Sequence, residues 1–156
     1  DAPIAQDDTS TSNHCFSGKY YAYDEYSGGL GNMDSVADAL ALIAQNEPNV
    51  TFDVSNIDYQ LSNSNKNGGL TSESQLQDFL GSDESSMKGS VPSSTTDGVM
   101  LLTGAVFLAA GTYSLKVNAD DGYFIKVDGQ VVAQYDGIQS TTERVHDTFT
   151  LDSDGY

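Results

Sequence analysis

Residues 112–135 leave this chain little choice of structure. Thr112-Tyr113-Ser114-Leu115-Lys116-Val117 alternates polar with apolar side chains, and Tyr123, Ile125 and Val127 then alternate with Phe124 and Lys126. Asp128-Gly129 separates that second run from a third, Gln130 to Tyr135. Period-two alternation marks half-buried strands, and Asp-Gly between two such runs is a strong signal for a two-residue hairpin. Asp136-Gly137 and Asp154-Gly155 repeat the turn chemistry, while Val145, Phe149 and Leu151 read as another alternating strand. Short strands with tight turns predict a mainly β protein, an antiparallel β-sandwich with one peripheral α-helix and long surface loops.

Between the first two runs lies Asn118-Ala119-Asp120-Asp121-Gly122. Within a strand adjacent side chains point to opposite faces, but at a corner both can turn the same way. Asp120 and Asp121 therefore sit where two carboxylates can converge, and a hard divalent cation is the simplest partner for them. As sequence chemistry alone, such a pair is more often a plain acidic turn than a metal site.

Composition narrows the functions open to the chain. With 23 Asp plus Glu against 6 Lys plus Arg, the formal charge is -17. Such a chain repels phosphate backbones and anionic lipid, which argues against nucleic acid and against a basic membrane patch. Most of the remaining acids read as solvated surface that favours solubility. Asp24-Glu25 and Asp83-Glu84 are secondary candidates for structural calcium, with solvated surface the better reading. A single cysteine, Cys15, precludes an intramolecular disulfide framework. The apolar run from Val99 to Leu108 is too short and too broken by Gly104 for membrane insertion, and reads as one or two core strands. His14 and His146 lie in unlike contexts, so neither zinc nor histidine catalysis is expected. No G-x-S-x-G is present, and adjacent acids suit chelation better than a division into acid and base. No enzymatic activity is expected.

Residues 1–15 are polar and aperiodic and read as a linker or interdomain connector, so that the domain spans 16–156. The aromatic segment Lys19-Tyr20-Tyr21-Ala22-Tyr23 reads as a strand. Together with Tyr26 its tyrosines offer a platform for sugar rings, although core packing is the simpler account. One clear helix is expected, with Val36, Leu40, Ile43 and Ala44 on a stripe, Asp34 or Ser35 as its cap, and Asn46 and Pro48 as its stop. Thr51-Phe52-Asp53-Val54 and Ile57-Asp58-Tyr59 read as strand fragments. Two long surface loops follow, Ser62 to Thr71 and Gly81 to Gly98, separated by a single helical turn at Leu76, Phe79 and Leu80.

The segment from Gly111 to Gly129, centred on Asn118-Ala119-Asp120-Asp121-Gly122-Tyr123, resembles the protective-antigen-type (PA-fourteen) lectin-like domain family. Asn32-Met33-Asp34-Ser35-Val36-Ala37, Phe79-Leu80-Gly81-Ser82-Asp83 and the strand from Val99 to Leu108 are also similar to it, so the resemblance covers residues 16–156. It is nearest to the modules of large calcium-dependent bacterial surface adhesins, and Asp1-Ala2-Pro3-Ile4-Ala5-Gln6-Asp7-Asp8 is similar to the junctions between their repeats.

The resemblance implies that Asp120 and Asp121 are joined by a cis peptide and together hold Ca²⁺, to which carbohydrate hydroxyls bind directly. It further implies a carbohydrate-binding module of a secreted or cell-surface adhesin, part of a longer multidomain chain, whose partners are glycans on another cell or surface. The family completes its calcium site with oxygens from a loop in its last strands. Nothing up to Tyr156 matches that loop, so a domain truncated at its C-terminal strands is expected. The alternatives are a structural spacer or protein-interaction module of the same fold, or an accessory domain of a carbohydrate-active enzyme.

Overall fold

The computed structural model describes residues 16–62 and 69–155. The expected connector 1–15, with His14 and Cys15, lies outside them, as does Tyr156. The chain begins with β1 (Phe16–Tyr23), continues through α1 (Val36–Gln45), β2 (Val50–Val54) and α2 (Glu73–Leu80), and then forms β3 (Lys88–Gly89) and β4 (Asp97–Thr103). These strands make one antiparallel sheet in the order β3-β2-β1-β4. The interior strand β1 pairs Tyr20 with Val50 on one side and with Met100 on the other.

Alternation along β1 explains where the core lies. Tyr20 packs on one face with Val50, Phe52, Val54, Leu76 and Leu80. Tyr21 and Tyr23 pack in a second cluster with Leu42 of α1. Tyr20, Tyr21 and Tyr23 are 1%, 4% and 5% exposed, so they are core residues and not a platform for sugar rings; of the four tyrosines only Tyr26 stands out in solvent. The Tyr20 hydroxyl donates to the carbonyl of Leu70, and burial, helped by the Asp97 charge, pushes its pKa up to about 12.

Of the two expected caps, Asp34 and Ser35, it is Ser35 that caps α1, through its hydroxyl. The buried α1 side chain, however, is Leu42 and not Leu40, which is 48% exposed, and Ala44 is also exposed. Leu42 meets Tyr21 and Tyr23, so the helix is rolled toward the tyrosine face. The single turn near Leu76 is a full helix capped by Ser72, which gives the described residues two α-helices where one was expected. Residues 57–59 form no strand. On either side of the turn Asp83 holds Ser55, through its N–H and hydroxyl at 3.0 and 2.6 Å, and the Tyr59 hydroxyl at 2.7 Å. Asp83 is thus a buried anchor and not solvated surface, and it sits in a 3₁₀ segment, Gly81–Ser86, inside the expected loop. Burial pulls its carboxyl up, but the hydrogen bonds from Ser55 and Tyr59 outweigh this and hold it below its ordinary value.

The C-terminal strands are β5 (Gly111–Tyr113), β6 (Lys116–Ala119), β7 (Tyr123–Val127), β8 (Gln130–Tyr135), β9 (Thr142–Val145) and β10 (Phe149–Leu151). They pair antiparallel as β5 with β10, β6 with β9, and β7 with β8. The β7–β8 hairpin turns at Asp128-Gly129 with both residues at positive φ, 49° and 77°, as an Asp-Gly turn of this kind requires. The expected continuous strand 112–117 is two strands with different partners, and so is the run containing Val145, Phe149 and Leu151. The architecture is mainly β and antiparallel, as expected, with the helices outside the sheets.

Candidate functional site

The acidic corner stands where the alternation places it, between the end of β6 at Ala119 and the start of β7 at Tyr123. The Asp120–Asp121 peptide is cis. Each of its two carboxylates is held by the segment that links β8 to β9. Asp120 Oδ2 accepts from the Thr141 N–H at 3.0 Å and from the Thr141 hydroxyl at 3.1 Å. Asp121 Oδ1 accepts from the Gln139 N–H at 2.8 Å. A carboxylate offers about four lone-pair sites, so both retain acceptor capacity for a cation.

Close backbone approach shapes the corner. A Cβ at Gly122 would lie 2.9 Å from the Tyr135 carbonyl and 3.1 Å from that of Gly137, so the β8–β9 link can press against the corner only if residue 122 has no side chain. The same link reaches the first helix, because Asp136 Oδ1 accepts from the Val36 N–H at 2.7 Å, one of the amides that a helix start leaves unpaired.

Beside the corner opens a cleft of about 360 Å³. Asp34, Asp97, Asp120 and Asp121 line it together with apolar side chains that include Leu40 and Phe79; among the described residues no Lys or Arg does. Burial pushes the Asp97 carboxyl up, the Thr96 hydroxyl opposes the shift, and the charges of Glu25 and Asp121 add to it. The cleft is therefore electronegative, and Asp97 already feels the charge of Asp121.

The donor set consists of hard oxygens at the mouth of an anionic cleft, which fits a hard divalent cation and suits neither an anion nor a soft metal. Among the described residues no group of three or more His, Cys, Asp or Glu is placed to hold a metal. The pair thus supplies at most about four of the six to eight oxygens calcium takes, which leaves positions for water or for another ligand's hydroxyls. Asp24-Glu25 makes a local turn instead, with Asp24 accepting from the Tyr26 N–H and the Ser27 hydroxyl. His146 pairs with Tyr123, the hydroxyl lying 2.6 Å from Nε2.

Sequence reasoning missed Gln139, Thr141, Arg144 and Asp97. Gln139 and Thr141 are 18 and 21 residues from the carboxylates they hold, and no local pattern distinguishes them.

No family model and no curated protein matches the chain. Among solved structures, a PA14 sugar-binding domain from an RTX adhesin superposes with a TM-score of 0.80 at 42% identity, covering 91% of this chain and 77% of the other. The chain belongs to the PA14 family. A second PA14 domain, from the MpAFP antifreeze protein, matches with a TM-score of 0.80 at 36% identity, covering 97% of this chain and 76% of that one. Among the described residues of this PA14 domain no helix is long and apolar enough to cross a membrane.

Proposed function

We propose that this PA14 domain is a calcium-dependent lectin module of a secreted, cell-surface adhesin, and that Asp120 and Asp121 hold the cation to which glycan hydroxyls bind. The observation that carries the reading is the pair itself: two adjacent carboxylates fixed by the 139–141 segment at the mouth of an acidic cleft. Likeness at 42% identity to a domain described as sugar-binding, from an RTX adhesin, supports it.

In this reading Asp120 and Asp121 bind and orient, and they move no proton. Bound calcium supplies loose coordination, so neighbouring sugar hydroxyls can replace its waters without reshaping the protein. Thr141 and Gln139 keep the carboxylates in place, and the surrounding cleft discriminates among glycans. The partners are glycans on another cell or surface, and the module works as one part of a longer chain.

A second reading is a structural spacer of the same fold that binds no sugar; the other similar domain comes from an antifreeze protein, and its description names no ligand. Calcium titration by calorimetry on the wild type and on Asp120→Ala/Asp121→Ala, followed by a glycan array with and without chelator, separates the two. A glycan signal that needs calcium and vanishes in the double variant is the expected result. Calcium binding with no glycan signal favours the spacer, and a wild type that binds no calcium overturns the site assignment.

A further inference from the structure

We propose that Gln139 and Arg144 are positioning residues for the acidic pair, a relay that sets where the two carboxylates stand; the inference rests on the calcium reading above. Gln139 directs its N–H and both ends of its side-chain amide into this network. Its N–H donates to Asp121 Oδ1 at 2.8 Å. Its Nε2 donates to the carbonyls of Asp121, at 2.9 Å, and Ala119, at 3.2 Å, thereby gripping the backbone on both sides of Asp120. Its Oε1 accepts from Arg144 Nε at 3.2 Å and Nη2 at 2.9 Å.

The direction of this amide is dictated by its neighbours. A guanidinium only donates and a carbonyl only accepts, so Oε1 must face Arg144 and Nε2 must face the corner. Arg144 is itself steadied by an aromatic ring, because its guanidinium carbon lies 4.1 Å from the centroid of Tyr135. Arg144 stands on β9 opposite Val117 of β6, and Tyr135 stands on β8 opposite Tyr123 of β7. The relay thus carries the registers of both strand pairs into the corner that joins β6 to β7.

A second observation sets Arg144 apart. It is the sole arginine of a chain with formal charge -17, yet the ion pair found among the described residues joins Lys116 to Glu143 instead. The Arg144 fork is directed at a neutral amide. Paired directly with Asp121, a guanidinium would occupy carboxylate oxygens and compete with a divalent cation. Acting through Gln139, it fixes geometry and leaves those oxygens to the metal.

The test combines Gln139→Ala, the charge-preserving Arg144→Lys and the double variant, each titrated with calcium chloride by calorimetry. Amide hydrogen exchange on the metal-free proteins is the second readout. Gln139→Ala is expected to weaken calcium binding about tenfold, the usual order for losing an outer partner of a metal ligand. Arg144→Lys should cause a smaller loss, and none when Gln139 is already Ala, because the arginine acts only through that amide. In the metal-free protein Arg144→Lys should speed exchange at the Gln139 N–H, a change independent of calcium. Unchanged affinity in Gln139→Ala, equal losses from Arg144→Lys in both backgrounds, or undiminished protection of the Gln139 N–H would each overturn the relay. A wild type that binds no calcium overturns the calcium reading instead, and the exchange data still decide whether the relay positions the pair.

Discussion

The four-stranded sheet and the paired strands beyond it are held by different forces. Of the buried hydrophobic residues, Tyr20, Val50, Phe52, Leu76 and their neighbours belong to the first part, and only Ala133 comes from β5 to β10. The second part exposes Val131 and Val145 by 51% and 71%. Beside the stacked rings of Tyr113 and Phe149, it is knitted by polar links: Thr141 to Asp120, Gln139 to Asp121, Arg144 to Gln139, and Tyr123 to His146. Apolar burial is non-directional and supplies stability, whereas hydrogen bonds have geometry and can place an oxygen. The contrast teaches that stability and chemistry are separately housed, and that substitutions should divide accordingly.

The largest effect tests the first half of that contrast. Leu76 is fully buried in the sheet's core, so Leu76→Ala should destabilise the fold by about 2 to 5 kcal/mol. Urea unfolding gives this value, and on the proposed calcium reading the affinity measured on the folded variant should stay at the wild-type level. A large loss of affinity would mean that the two parts are coupled.

Asp83 sharpens the comparison, since it is a polar anchor within the apolar half. Asp83→Asn sets an amide donor against the donors of Ser55 and Tyr59 and should cost about 1 to 3 kcal/mol. The folded carboxyl of Asp83 lies below its ordinary value, so the unfolded chain binds more protons as acid is added. Its stabilising contribution is therefore complete above about 3.9, the ordinary value, and is lost as pH falls through the lower folded value. Urea midpoints measured from neutral pH into acid should fall less steeply for Asp83→Asn than for the wild type.

Gly122→Ala attacks the other half, because its Cβ would meet the Tyr135 carbonyl at 2.9 Å. Overpacking there should cost about 1 to 3 kcal/mol. In contrast to Leu76→Ala, on the proposed calcium reading it should lower the affinity measured by calorimetry even where the protein remains folded, since the 139–141 segment must retreat from the corner. The smallest effect belongs to Lys116→Ala. Its pair with Glu143 is 3.0 Å long but more than half exposed on both sides, and its loss should shift stability by less than about 1 kcal/mol. A larger shift in thermal unfolding would show that β6 and β9 depend on charge more than their exposure implies.

Local chemistry alone determined much of this protein. The alternation around Asp120 and Asp121 located the corner, Asp128-Gly129 located the hairpin, and Asp34-Ser35 marked the start of α1. The acidic excess argued against nucleic acid as a partner. Each of these signals except the charge is read over a few neighbouring residues, where backbone preference and side-chain period are set by local sterics and hydrogen bonding. Tertiary structure decided everything built from distant partners. Asp83 reads as surface until Ser55 and Tyr59 close on it, and 112–117 reads as one strand until β10 and β9 take separate parts of it. Leu42 displaces Leu40 from the core once Tyr21 and Tyr23 are in place. The acidic pair is visible as two letters, but its grip by Gln139 and Thr141, and Arg144 behind them, arises only when β6 pairs with β9 and β7 with β8. Contacts across such separations depend on which strands meet, a choice that the whole core makes and no short window contains.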